Sequence, residues 1–193
     1  MAFGERATDT RREMTLTPFA RCVLDLCRLR GNPQDLPYSP SLLVRMLVIA
    51  TAIDGFAGSI LGEAGDGLLR SLLASVVVFG LCAIALAIRG LGNRYVQTAI
   101  ALCGSGIVVS LVQLPIIALI VPIAAPASGA AAVAIDPAQA LLRWAWLATL
   151  AWQVLVHAHI MRLAMDSRFG FALVLVAAWL VAYWSLDSVL FGP

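Results

Sequence analysis

The stretch Ser71–Ile88, SLLASVVVFGLCAIALAI, runs for 18 residues without a charged side chain. A helix needs about 20 mostly apolar residues to cross the roughly 30 Å hydrocarbon core of a bilayer. One further apolar run precedes this stretch and three follow it, and each reaches or approaches that length with its flanking residues. The sequence therefore predicts an all-α fold, a polytopic transmembrane helical bundle with five spans at about 42–61, 69–88, 95–122, 141–162 and 169–190.

The composition excludes a soluble globular domain. Hydrophobic residues make up 61% of the chain and charged residues 12%, and the mean hydropathy is +0.92. Soluble domains carry about 25% charged residues. The 193 residues have room for one membrane domain, predicted at 42–193, and for no second folded domain. The net charge of +2 is too small to indicate nucleic acid as a partner.

The placement of the arginines predicts how the chain sits in the membrane. All 13 basic residues are arginines, and cytoplasmic loops are enriched in Lys and Arg near the ends of spans. Eleven of them precede or open the first span or lie in the connections after the second and fourth spans, whereas only Arg70 and Arg143 lie on the other side. This predicts a multi-pass protein of the cell inner membrane with a cytoplasmic N-terminus and a periplasmic C-terminus.

The chain before the first span divides into three predicted segments. Residues 1–16 are polar, contain no apolar signal-peptide core and are predicted to be a disordered cytoplasmic tail. Residues 17–31 are predicted to form an interfacial amphipathic helix. Residues 32–41 contain three prolines, which exclude a regular helix or a central strand and predict a stiff joint. Within this joint, Ser39–Pro40 provides a capping residue and a first-turn proline for the first span.

Two positions remain open for the helix at residues 17–31. Its predicted start is Thr17, a capping residue followed by proline, and its predicted end is Gly31. It can lie in the membrane interface with its arginines near anionic headgroups, or pack on the cytoplasmic ends of the spans, and the two positions are not exclusive. The residues expected to define its faces are Phe19, Val23 and Leu26 on the apolar side and Arg21 and Arg28 on the polar side.

Asp54 is the sharpest candidate for a functional residue, because it is the only acidic residue deep within a predicted span. An ionisable group there costs a few kcal/mol and indicates a functional site by default. Alternatively, Asp54 caps a break at Asp54–Gly55 or reaches the outer interface. Gln113 and Gln153 lie at a similar depth, and His157 shares a helix face with Gln153. These four residues are predicted to form a polar intramembrane cluster, which either joins the helices or provides a transport pathway.

Other chemistry is not indicated by the sequence. The only two histidines are spaced HAH, so on a helix they point apart, and no metal site is predicted. The four cysteines follow no known pairing pattern. No nucleophile accompanied by a histidine and an acid is present, and no glycine-rich phosphate loop. We therefore expect no catalytic residue, no cofactor and no enzymatic activity.

The order of segments resembles a known family. A helix containing arginines (FARCVLDLCRLR), a proline-rich joint (GNPQDLPYSP) and five closely spaced spans with a cytoplasmic N-terminus are similar to the layout of the Yip1-type membrane proteins. The resemblance covers the chain from Pro18 onward. It implies a five-span bundle, and eukaryotic members of that family are tied to membrane traffic through small GTPases. No functional residue is carried over from the family.

Two functions from different classes follow from these observations. The first is a non-enzymatic membrane scaffold or assembly protein, which contacts the lipid bilayer and binds a membrane-protein partner or a second copy of itself through its helices. The absence of catalytic groups and the small residues on the second and third spans favour it. The second is a small transporter or channel subunit, which the polar cluster around Asp54 favours.

Overall fold

The computed structural model describes residues 18–61, 66–124 and 137–192, with side chains in the long fourth helix described as far as residue 120. The described residues form six helices and no strand, which confirms the all-α prediction. The predicted tail at residues 1–16 and the predicted cap Thr17 lie outside these ranges. The helices are α1 (residues 18–27), α2 (Pro40–Ile60), α3 (Gly67–Ile88), α4 (Tyr95–Ala124), α5 (Pro137–Ala164) and α6 (Phe169–Phe191), with short 3-10 turns at Pro33–Asp35 and Gly92–Arg94.

Four of these helices, α2, α3, α4 and α6, are long and apolar enough to cross a membrane. This agrees with four of the five predicted spans. The remaining predicted span, 141–162, lies within α5, which is helical over 28 residues but is not among the four. Its apolar surface is interrupted by polar side chains such as Gln153, His157 and His159. A fifth span therefore stays a prediction.

Local sequence signals explain where α2 begins and where α3 ends. The hydroxyl of Ser39 accepts a hydrogen bond from the Leu42 amide at 3.3 Å, with Pro40 at the first helical position, so the predicted start of the first span is confirmed. Helix α3 ends in a left-handed glycine, Gly90 with φ +69°, and the amide of Leu91 donates to the carbonyl of Leu86 at 2.8 Å. This is the usual way in which a C-terminal turn satisfies its last carbonyls.

The end of α1 differs from its prediction. The left-handed residue after the helix is Leu29, with φ +61°, rather than Gly31, and the helix itself ends at residue 27. The amide of Arg30 closes the turn by donating to the Asp25 carbonyl at 2.8 Å. Gly31 is required for a different reason: a Cβ atom there would lie 3.1 Å from the Leu26 backbone nitrogen.

The spanning helices and α5 form a closed ring around a shared core. Neighbours in the ring are α2 and α3, α3 and α6, α6 and α5, α5 and α4, and α4 and α2, and α3 also contacts α4 across the middle. Every residue from Thr98 to Ser105 on α4 is buried, so this part of the helix is covered on all sides. Its small residues allow neighbouring backbones to approach closely.

Helix α1 packs alongside α4 and α5. Val23, Leu26 and Cys27 are buried in the core. The indole nitrogen of Trp152 donates to the Cys27 carbonyl at 2.9 Å, and Nε2 of His159 donates to the Gly31 carbonyl at 3.2 Å; both side chains belong to α5.

These two hydrogen bonds also fix the depth of α1. Trp152 and His159 are seven residues apart on α5, which is about 10 Å along a helix. The chain from Cys27 to Gly31 therefore follows the side of α5 and does not lie beyond its end. The structure therefore has α1 packed against the side of the bundle, not on the ends of the helices, with Arg21 and Arg28 exposed on the outer face. Contact between that face and lipid headgroups stays a prediction.

Three connecting segments meet at one end of the bundle, which we call the arginine-rich end: the joint at residues 32–39, the loop between α3 and α4, and the loop between α5 and α6. Arg94 donates to the Asp166 carboxylate at 2.8 Å and to the Ala164 carbonyl at 3.2 Å, and Arg89 donates to the Met165 carbonyl at 3.1 Å. At the opposite end, Arg70 pairs with Asp187 at 3.1 Å and ties α3 to α6.

Candidate functional site

The carboxylate of Asp54 joins three helices inside the bundle. From its position on α2, one oxygen accepts a hydrogen bond from the Ser71 hydroxyl of α3 at 3.2 Å, and the other accepts one from the Ser110 hydroxyl of α4 at 3.0 Å. Helix α2 continues unbroken through Asp54 to Ile60, so the alternative of a helix break at Asp54–Gly55 is wrong. Six residues separate Asp54 from the end of α2, about 9 Å at 1.5 Å per residue.

Two cavities meet at Asp54. The outer cavity, of about 260 Å³, opens between α2, α3 and α6 toward the end that carries Arg70 and Tyr183. The inner cavity, of about 110 Å³, lies between α2, α3, α4 and α5 and is lined by polar groups that include Gln153. Asp54 and Ser71 line both cavities. The carboxylate therefore stands at the boundary between a space that leads to one end of the bundle and a second space bordered by four helices.

A close glycine contact shapes the outer cavity. A Cβ atom on Gly67 would lie 3.1 Å from the Cα of Gly58, so the backbones of α3 and α2 touch at this point. Both glycines are buried and both line the cavity. The residues beside this contact, Ala57 and Ala74, have small side chains that do not fill the space between the helices. An open volume therefore remains next to Asp54.

The other residues of the predicted polar cluster are distributed around this site. Gln153 lines the inner cavity with Asp54. Gln113 instead donates from its amide to the Thr149 hydroxyl at 3.2 Å and links α4 to α5. Nε2 of His157 is buried and has no hydrogen-bond partner among the described residues, and His157 lines neither cavity. The four predicted residues thus include one at the cavity junction, one on the inner wall and two elsewhere on the α4–α5 side.

Neither of the two serines that bind Asp54 was predicted from the sequence. Ser71 opens the apolar stretch that decides the fold, and Ser110 lies three residues before Gln113. A serine in an apolar helix commonly bonds a carbonyl of its own helix, as Ser105 does with the Leu102 carbonyl at 3.1 Å. The only available signal was indirect: a carboxylate held in a bundle needs donors, and hydroxyls at matching depth are the nearest source.

The site has the chemistry of a hydrogen-bonding or ion-binding position. Among residues 18–61, 66–124 and 137–192, no three of His, Cys, Asp and Glu come together as metal ligands. The four cysteines are free thiols, and burial raises the pKa of the Cys27 thiol on α1, which keeps that thiol neutral. The expected lack of a cofactor and of catalytic activity stays a prediction. A carboxylate with two hydroxyls can bind a proton, a small cation or a polar group of a partner.

No family model matches this chain, and neither a curated protein nor a solved structure is significantly similar to it. The resemblance in layout to the Yip1-type membrane proteins therefore stays a prediction. Functional assignment depends on the chemistry of the site itself.

Proposed function

We propose that this chain is a five-span protein of the cell inner membrane that acts as a small transporter or channel subunit, with Asp54 as its central binding group. The observation that carries the proposal is the position of the Asp54 carboxylate at the junction of two cavities. A carboxylate in a membrane bundle is retained at a cost in stability, and such groups mark ion and substrate pathways. The hydrogen bonds from Ser71 and Ser110 hold the carboxyl group in place between three helices.

The proposed pathway is open on one side in this structure. The outer cavity approaches the end near Leu61 and Arg70, whereas the inner cavity has Leu47, Phe79 and Leu102 in its lining, each about two helical turns from Asp54, Ser71 or Ser110 toward the arginine-rich end. Beyond these side chains the core is buried up to the arginine-rich end. A protein that moves a solute past Asp54 must therefore change the packing of this inner layer, as alternating access requires.

The proposed orientation places the arginine-rich end in the cytoplasm and the outer cavity toward the periplasm. It is supported by the shared end of the two arginine-containing loops, which Arg94 and Asp166 join. In this arrangement α5 is the fifth span, and α1 lies in the cytoplasmic half of the bundle.

Reporter fusions test this orientation. Fusions placed after Gly62, Asn93, Ala132, Ser167 and Pro193 should report alternating sides of the membrane, starting with the periplasm, because each successive span reverses direction. Enzymatic reporters active on only one side give the measurement. A cytoplasmic report from the last fusion would contradict five spans, and equal reports on the two sides of α5 would show that α5 does not cross.

A flux measurement tests the role of Asp54. The substitution Asp54→Asn keeps the shape and most of the hydrogen bonding of the side chain while removing its charge. In liposomes carrying a proton or sodium gradient, we expect the parent to dissipate one of these gradients and Asp54→Asn to do so at least about tenfold more slowly, by analogy with the loss of a positioned charge.

The matched control is Asp66→Asn. Asp66 precedes α3, is exposed and makes no side-chain capping bond, so the same chemical change there should leave the flux unaltered. Parental flux in Asp54→Asn would contradict the transport proposal. A folded parent that moves neither ion but purifies in mild detergent with a stoichiometric membrane partner would support the scaffold function, for which the exposed arginines of α1 offer a contact surface.

A further inference from the structure

An open cleft of about 610 Å³ lies beside the C-terminal end of α1 and shares no lining residue with the outer cavity at Asp54. Its walls are the last turn of α1 and one aromatic side chain of α5. The Trp152 indole is fixed there by its hydrogen bond to the Cys27 carbonyl at 2.9 Å. The lining residues are Cys27, Arg28, Leu29, Arg30 and Trp152.

The two arginines of the cleft form no strong ion pair with a described carboxylate, so their guanidinium groups can bind an anionic ligand. Arg28 approaches Asp25 only to 3.8 Å, and the two side chains are 67% and 42% exposed, so this pair is a weak one. Arg30 forms no ion pair with a described residue. Two guanidinium groups two residues apart at one cleft are suited to the oxygens of a single phosphate.

The carbonyl groups at the C-terminal end of α1 carry a partial negative charge that could repel an anion in the cleft, but they already accept hydrogen bonds. The Asp25 carbonyl accepts from the amides of Arg30 and Gly31, and the Leu26 carbonyl accepts from the amide of Leu29. The Cys27 carbonyl is bonded by Trp152. With the last carbonyls of the helix satisfied, the field in the cleft is dominated by the arginine side chains.

The surroundings of the cleft indicate an amphipathic ligand. Leu24 on α1 and Leu29 in the turn that follows it are exposed apolar side chains. Trp152 lies 12 residues from the end of α5, about 18 Å by helical rise. The cleft thus has an apolar part beside the bundle and a cationic part nearer its end. The arginine-rich end as a whole carries eight described arginines against three aspartates, which repels cationic headgroups.

We propose that this cleft is a binding site for one anionic phospholipid of the surrounding leaflet. Arg28 and Arg30 bind the phosphate, and the acyl chains lie against Leu24, Leu29 and the Trp152 ring. Basic pockets between membrane helices on the cytoplasmic side are known to hold anionic headgroups. The inference is independent of the function proposed for Asp54, because it concerns a different cavity and different residues.

Native mass spectrometry of the detergent-purified full chain, titrated with phosphatidylglycerol or phosphatidylcholine, tests this proposal. The parent should retain one phosphatidylglycerol molecule at least tenfold more tightly than phosphatidylcholine. The double variant Arg28→Gln/Arg30→Gln should weaken this retention about ten- to thirtyfold, in line with the loss of two arginines near a lipid anion. Equal retention of the two lipids by the parent would overturn the proposal.

The matched control is Arg45→Gln/Arg168→Gln, which removes the same charge from exposed positions of the arginine-rich end that do not line the cleft. It should retain phosphatidylglycerol as the parent does. An equal loss in the control would show diffuse attraction in place of a site. Displacement of the lipid by millimolar inorganic phosphate would show a site for a soluble anion and would also overturn the proposal. Circular dichroism of both variants verifies that the helices are intact.

Discussion

Replacing Gly104 with leucine is expected to release α1 from the bundle. A Cβ atom on Gly104 would already lie 3.1 Å from both the Val23 side chain of α1 and the Met46 side chain of α2. A leucine adds three further carbons in a part of α4 that is buried on every side. Overpacking of this kind costs about 1–3 kcal/mol, and α1, which is short, is the element that can move most easily.

Trypsin cleavage in mild detergent measures the release of α1. Undocked α1 exposes the backbone at Arg21, Arg28 and Arg30, so Gly104→Leu should be cut there at least about fivefold faster than the parent, since local opening sets the rate. Gly80→Leu is the control, because Gly80 is an exposed glycine in the middle of α3 with no atom within 4 Å of its Cβ position. Equal cleavage of parent and Gly104→Leu would contradict the docking of α1 on α4.

Replacing Arg94 with alanine is expected to lower the free energy of unfolding by about 2 kcal/mol, because the part-buried Ala164 carbonyl and two further acceptors lose a charged hydrogen-bond donor. Its guanidinium joins three segments: it donates to Asp166 and to the Ala164 carbonyl in the α5–α6 connection. With the Gln34 amide turned so that its oxygen faces Arg94, this oxygen accepts hydrogen bonds from Nη1 of Arg94 at 3.0 Å and from Nε at 3.2 Å. The ion pair itself contributes little, because Asp166 is 69% exposed.

Thermal and denaturant unfolding in detergent measures this loss. Arg168→Ala removes an equal charge from an exposed position at the same end and should change stability by less than about 0.5 kcal/mol. Arg94→Lys should recover only part of the loss, since an ammonium group lacks the planar fork that reaches several acceptors together. An Arg94→Ala variant as stable as Arg168→Ala would contradict a joining role for this arginine.

The sequence predicted those elements whose signals are local. Helices α2, α3, α4 and α6 follow from long, mostly apolar runs, and the start of α2 follows from Ser39–Pro40. The end of α1 could not be read in this way, because Leu29 has no intrinsic preference for the left-handed conformation that it adopts. Its turn is held from outside by Trp152 and His159, which come from a distant part of the chain.

The candidate site was predictable only in its central residue. Asp54 stands out because a charge in an apolar helix is rare. Its partners Ser71 and Ser110 lie 17 and 56 residues further along the chain. Which of several serines faces Asp54 depends on how α3 and α4 are rotated, and an α4 segment that is buried on all sides has no apolar stripe from which that rotation could be deduced.

The attachment of α1 to α5 also sets an order of events during biosynthesis. Trp152, whose indole holds the end of α1, follows Cys27 by 125 residues, so at 5–20 residues per second it is made roughly 6–25 s later. Helix α1 is the first of these helices to leave the ribosome, yet it cannot complete its packing until α5 has been made. A chain whose synthesis stops before α5 would leave Val23 and Leu26 without their complete binding surface, and these side chains would then distinguish an unfinished bundle from a finished one.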